Sequence, residues 1–306
     1  MRLHNLQVTC LLSAVALAFP TLTTPPSPPT IIESSPNPIG SLYPTSITGT
    51  LNGTIAVVPI PYSLARDLIP SQYGILKKAY KEALPGFPRD MYPLIVRSII
   101  DHDVGMNGTR LIDDFQSVHI FYPFVDLLGD GYSNFIYGKY LIITGTHEVA
   151  INGSEGYGQV VIRSTFKPEN NSYGFFHPDP PPHSSKTRQI FSDAYENGKR
   201  DAVVKTNFKP LKSLGPWPLD FYVNITNQPV FADGKTCLQQ INLYNTSLST
   251  GANAPVGLKG DIKVAAPYLP KDSSFKNVFG IKVDIAFIER NGLDSAPTAP
   301  AMPPAA

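Results

Sequence analysis

Apolar and β-branched residues recur along the chain in short runs bounded by Gly, Pro, Asn or Asp. Such runs are the signature of strands. The segments 54–58, 118–124, 137–144, 159–164, 221–225, 239–244 and 281–288 are predicted strands on this basis. Within 115–123, period-two alternation puts Phe115, Ser117, His119 and Phe121 on one face and Gln116, Val118, Ile120 and Tyr122 on the other. One stretch follows a helical period instead. Over 71–84, Ile75, Leu76, Ala79, Tyr80, Ala83 and Leu84 share a face opposite Lys77, Lys78, Lys81 and Glu82, with Ser71 placed to cap. Shorter helical turns are predicted at 63–69, ended by Pro70, and at 271–278. Many strands, few helices and no regular strand–helix alternation predict a mainly β domain, an antiparallel barrel or sandwich with a few peripheral helices.

The two ends depart from this pattern. Arg2 and His4 precede an apolar run from Val8 that ends in Ala16-Leu17-Ala18, which predicts a signal peptide over 1–18 and a secreted or lumenal protein. Residues 19–47 are rich in Pro, Ser and Thr and are read as a disordered leader, and 292–306 as a Pro/Ala-rich disordered tail. One domain over 48–291 is left between them. No later run is long and apolar enough to span a bilayer, so no membrane span is expected. Behind a signal peptide, six Asn-x-Ser/Thr sequons become candidate glycan sites: Asn52, Asn107, Asn152, Asn170, Asn224 and Asn245. Gly53, Gly108 and Gly153 suggest turns at three of them.

Composition narrows the chemistry. With 25 basic and 24 acidic residues and no block of either sign, nucleic-acid binding is disfavoured. Cys10 falls in the signal peptide, so Cys237 has no partner and no disulfide is expected. The chain has no Gly-x-Ser-x-Gly, no His-Glu-x-x-His, no phosphate loop and no Cys-x-x-Cys, and neither a metal nor a cofactor is expected. Three weaker groupings carry titratable side chains. His177, Asp179 and His183 sit in a stiff Pro run and read as a surface loop. Arg97, Asp101, His102 and Asp103, with Asp113 and Asp114 nearby, could supply a general acid or base but read as a solvated turn. Ser117 and His119 are polar groups on an otherwise apolar strand face, the way small-molecule sites are built.

The order of these segments resembles the acetoacetate decarboxylase-like superfamily over about residues 50–290. Ile55-Ala56-Val57-Val58 followed by Ser63 to Pro70 is similar to the family's first strand and short helix. Phe115 to Phe124 resembles its Tyr-x-Glu strand, and Gly153 to Val160 its Gly-Tyr-Pro-Lys-Lys segment. Ile262 to Tyr268 and Gly280 to Ile288 resemble its closing strands. The resemblance implies a closed, mainly antiparallel β-barrel around a central cavity. It also implies an active site in which one lysine forms an imine and a second lowers its pKa, and here those positions read Gln159 and Val160. The family's carboxylate on the Tyr-x-Glu strand becomes Ser117, and its N-terminal arginine falls near Asn52 or Gly53. Imine-dependent decarboxylation is therefore disfavoured, with Lys139 the lysine to check for a relocated version.

The expected partner is a small, apolar, carbonyl-containing, polyketide-like ligand. Arg97, Ser117, Phe121 and Tyr157 are the expected ligand contacts, His119 the acid or base, and Gln159 a donor to a substrate oxygen. Isomerisation, dehydration or cyclisation would need no more than this. A non-catalytic carrier of an apolar ligand and a structural surface glycoprotein are the competing readings.

Overall fold

The computed structural model of the chain describes residues 35–176 and 188–294. The expected signal peptide, leader residues 19–34, the 177–183 grouping and tail residues 295–306 lie outside the described residues. Strand β1 (Ile47–Pro61) leads into helix α1 (Tyr62–Leu68), the short β2 (Gly74–Ile75) and helix α2 (Lys77–Ala83). Next come β3 (Met91–Met106), β4 (Thr109–Arg110), β5 (Phe115–Asp126), β6 (Phe135–Tyr137) and β7 (Tyr140–Thr144). Helix α3 (Glu148–Glu155) precedes β8 (Val160–Lys167), β9 (Gly174–Phe175), β10 (Ile190–Glu196) and β11 (Val204–Pro210). Helix α4 (Leu219–Thr226), β12 (Val230–Phe231), β13 (Thr236–Leu243), β14 (Val256–Val264) and the long β15 (Ser273–Asp294) complete the order.

Among the described residues the pairings run around a ring, β1–β3–β5–β7–β8–β10–β11–β14–β15 and back to β1. The ring is mainly antiparallel, with one parallel pair. β7 and β8 are parallel, because α3 carries the chain back between them, as a parallel pair requires. β13 adds to β15 outside the ring and joins β12 and β6 in a side sheet.

Three predicted elements change type. The run 221–225 is helical in α4, and its Phe221, Tyr222 and Ile225 are all buried at helical spacing behind Pro218. The turn predicted at 271–278 is the start of β15, where Ser273, Ser274 and Phe275 pair with β14. The helix predicted over 71–84 survives only as α2. Its first residues pair with β5 instead, and the Arg66 guanidinium donates to the carbonyls of Ile69 and Tyr73 at 2.9 Å and of Pro70 at 3.0 Å. Tertiary hydrogen bonding outweighs helical propensity there.

β1 is buried on both faces. Leu51 and Ile55 are buried in the main apolar core, while Thr50, Asn52 and Thr54 alternate with them on the opposite face. That polar face is covered from outside. Ser172 donates to Asn52 Oδ1, Asn37 donates to Thr48 Oγ1 at 2.9 Å, and Ile39 is buried against the sheet. Residues 35–46 are thus part of the packed body and not leader, because Ile39 joins Leu248, Ala286 and Ile288 in an apolar cluster. Asn52 is corrected as a glycan site: at 3% exposure in mid-strand it has no room for a sugar. Gly53 forms no turn either. A Cβ there would lie 2.7 Å from Ile99 Cα, so glycine lets β1 and β3 approach. Asn107, Asn152, Asn170, Asn224 and Asn245 are exposed. Of the other two glycines, Gly108 does lie in a β3–β4 turn with positive φ, whereas Gly153 is inside α3.

One end of the ring is filled by aromatic side chains. Tyr80, Tyr92, Phe124 and Phe221 are fully buried there, with ring centroids 5.7 Å apart for Tyr80–Tyr92 and 6.3 Å for Phe124–Phe221. Such pairs add to the burial term by about 0.5–1.5 kcal/mol each. No helix among the described residues is long and apolar enough to cross a membrane.

Candidate functional site

The other part of the ring interior holds a cavity of about 280 Å³. Its wall is mostly aliphatic and aromatic, with Ile55, Ile95, Leu141 and Phe287 among its residues. Into this wall the strands set a few polar groups. β3 and β5 are antiparallel with Arg97 opposite His119 and Ile99 opposite Ser117, so the alternation read from 115–123 delivers Ser117, His119 and Phe121 to the cavity together with Arg97. Tyr157 and Gln159 arrive from the turn after α3, where Gly158 takes a positive φ of 78° that favours glycine. All six expected site residues therefore line one cavity.

Arg97 Nη2 lies 3.2 Å from His119 Nε2, and Ser117 Oγ lies 3.1 Å from the same nitrogen. An arginine nitrogen can only donate. Nε2 is therefore the acceptor, and the ring proton sits on Nδ1. Burial, and then the neighbouring guanidinium charge, hold His119 well below 6.5, so the imidazole is neutral. This changes the role expected for it: with Nε2 engaged and Nδ1 protonated, His119 is a fixed donor and not a base. Its Nδ1 and the Nε of Arg97 are both buried without a hydrogen-bond partner. Two buried, unmet donors in the wall of an apolar cavity are costly unless something accepts from them.

The surroundings hold this pair in place. The Phe121 ring lies 4.6 Å from the His119 ring, centroid to centroid, and its centroid is 5.2 Å from the Arg97 guanidinium carbon. Gln159 is buried, and its amide donates to Gly138 O at 3.0 Å, which turns the side chain inward. Val160, next in sequence, is 44% exposed on the opposite face. Lys139 is exposed, its ammonium 4.9 Å from the Tyr140 ring centroid. Among the described residues, no lysine lines the cavity.

Sequence reasoning missed other parts of the site. Asp101 is not in a solvated turn: it lies on β3, 4% exposed, in the wall of the same cavity as Arg97. Burial pushes its carboxyl up to about 7, against the opposing pull of Arg97 and with a further push from Glu289. The signal was its even spacing from Arg97, which puts both on one strand face once β3 is recognised. His102, on the other side of β3, meets Asp114 at 2.6 Å. Gln228, Gln240 and Glu289 come from distant segments, and no local pattern marks them. Helix α3, which supplies Val149, Ala150 and Ser154, was unforeseen because Gly153 reads as a breaker.

No family model matches the chain, and no curated protein matches it in sequence. Among solved structures, the enduracididine biosynthesis enzyme MppR with HEPES buffer bound gives a TM-score of 0.51 at 11% identity, covering 90% of this chain and 100% of that one. The same enzyme with the condensation product of pyruvate and imidazole 4-carboxaldehyde gives 0.48 at 11% identity, covering 89% and 100%. An acetoacetate decarboxylase-like enzyme from Sphingomonas wittichii RW1 gives 0.45 at 7% identity, covering 81% and 92%. At such identities the likeness is one of fold. The chain shares its overall fold with MppR.

Proposed function

We propose that the ring is a closed barrel whose cavity binds a small, largely apolar, carbonyl-containing metabolite and acts on it without an imine, by isomerisation, dehydration or cyclisation. The observation that carries this reading is the pair of unmet donors, Arg97 Nε and His119 Nδ1, in an apolar wall. A carbonyl oxygen fits that seat, and charge that develops on it as an enolate forms is what a buried guanidinium and a neutral imidazole stabilise most. Ser117 and Arg97 fix the imidazole tautomer, Phe121 packs against the pair, and Tyr157 and Gln159 border the remaining space. The aliphatic wall takes the ligand's chain and excludes water, which strengthens each polar contact. The fold shared with a biosynthetic enzyme is in keeping with the reading.

Export as a glycoprotein belongs to the same proposal, supported by the five exposed sequons. Expressed in a eukaryotic secretory host, the Asn107→Gln and Asn245→Gln variants should each lose glycan mass, and Asn52→Gln should lose none.

The cavity reading is tested with 2-heptanone as probe, by calorimetry and by ligand-observed NMR. Arg97→Met and His119→Phe should each weaken its binding roughly tenfold or more. Binding unchanged in both variants would overturn the seat. A mass increase on any lysine after borohydride treatment of the ketone complex would overturn the imine-free chemistry. Binding without any turnover of a wider ketone panel would favour the carrier instead.

A further inference from the structure

The carbonyl seat leaves the two carboxyl groups of the cavity wall, Asp101 and Glu289, without a task, and Asp101 is the buried one. Arg97 and His119 hold protons that they donate, Ser117 is tied to His119, and Gln159 is tied to Gly138 O. None of them is a base. Asp101 lies on the same strand as Arg97, in the same wall, buried, and accepts a hydrogen bond from Gln240. Resting on the cavity reading above, we propose that Asp101 is the catalytic residue that moves the proton.

The step balances within the residues present. The Asp101 carboxylate takes a proton from the carbon beside the ligand's carbonyl. The C–H pair becomes a carbon–carbon π bond, and the carbonyl π pair moves to oxygen as an enolate held by Arg97 and His119. Asp101, now a carboxylic acid, returns the proton to a different carbon in an isomerisation or to a departing β-hydroxyl, which leaves as water, in a dehydration. No oxidant, reductant or second substrate is needed.

The environment suits this task. Burial raises the carboxyl to about 7, where a carboxyl group both accepts and releases a proton near neutrality. The groups that face it are Arg97 from β3, Glu289 from β15, Gln240 from β13 and Asp114 from the segment before β5. Arg97 is the cation among them and draws the carboxyl down; Glu289 and Asp114 draw it up. Glu289 lies in the same wall and sets the charge beside Asp101.

Deuterium exchange at the α-carbon of 2-heptanone in D2O, followed by NMR, reads this step directly. The wild-type protein should accelerate exchange, with a rate that rises with pH through about 7 as Asp101 ionises. Asp101→Asn should bind the probe within about twofold of wild type and exchange it roughly a hundredfold more slowly, with the rise near neutrality gone. Asp101→Glu keeps the acid but moves it; it should lose less rate and keep the pH rise. If the Asn variant does not fold, the Glu variant carries the test. Exchange at the wild-type rate in Asp101→Asn, or its pH rise intact, overturns the proposal. Wild-type protein that binds the ketone but does not exchange it also overturns the role of Asp101. Failure to bind the ketone at all counts against the cavity reading itself.

Discussion

The strand pair β3–β5 serves two opposite purposes along its length. At one end Tyr92 of β3 and Tyr122 of β5 stack at 6.3 Å, and Phe124 continues into the buried aromatic cluster with Tyr80 and Phe221. A few residues along the same ladder, Arg97, Asp101, Ser117 and His119 face a cavity, and two of their donors lack partners. The backbone is the same antiparallel pairing throughout. What differs is whether the side chains satisfy one another. At the aromatic end the Tyr80 and Tyr92 hydroxyls donate to the carbonyls of Met91 and Pro123 and the rings pack on one another, a source of stability, whereas the polar end costs stability and calls for an acceptor from outside the chain.

The comparison breaks most visibly at the packed end. Phe221→Ala, which removes a buried ring from that cluster, should destabilise by about 3–5 kcal/mol in urea unfolding, with m unchanged. At the polar end, the double variant Arg97→Met/Asp101→Leu should do the reverse. Replacing both members of a buried, oppositely charged pair by apolar chains is often neutral or stabilising by about 1–4 kcal/mol, while ketone binding is weakened. A fall in stability as large as that of Phe221→Ala would mean that the polar end also holds the fold together.

The pH dependence of unfolding separates the groups of the polar end. Asp101, at about 7 when folded against 3.8 ordinarily, keeps a proton that the unfolded chain has lost. Its contribution is full at acid pH and falls as pH rises between those values. His119 acts in the opposite sense: held well below 6.5, it stays neutral where the unfolded chain is protonated, and stability falls as pH drops below 6.5. Asp101→Asn should therefore gain on wild type as pH rises toward neutrality, by at most roughly 1.4 kcal/mol per pH unit. His119→Gln should flatten the acid limb. Thermal unfolding from about pH 4 to 8 checks both signs. Asp284, pushed up to about 6 by burial, gives the sign of Asp101 over a narrower window, so Asp284→Asn is the control.

The smallest effect is expected at the cavity's exposed wall. Leu111 and Val149 line it yet are 60% and 63% exposed. Leu111→Ser and Val149→Ser should change stability by less than about 0.5 kcal/mol. If they contact the ligand's chain, ketone affinity should fall by about threefold to tenfold in the same calorimetric experiment.

Much of this was legible from local pattern. Alternation over 115–123 put Ser117, His119 and Phe121 on the right face, and β5 carries them to the cavity. Local pattern failed where distant partners decide. Residues 221–225 have strand-like composition, and their burial on one helical face is a tertiary fact. Asn52-Gly53-Thr54 is a perfectly good sequon in one dimension and a buried stretch of β1 in three. Asp101 looked like part of a charged turn, since nothing in Ile99-Ile100-Asp101-His102 tells which strands will cover it.

The sequence alone determined the mainly β character and the inward face of β5, because each follows from side-chain type and spacing along one segment. Only the tertiary structure decided that Arg97 would meet His119, that Asp101 would be buried beside them and that His119 would be a donor. Those properties depend on register between strands and on the desolvation of charged groups, and both exist only once the ring has formed.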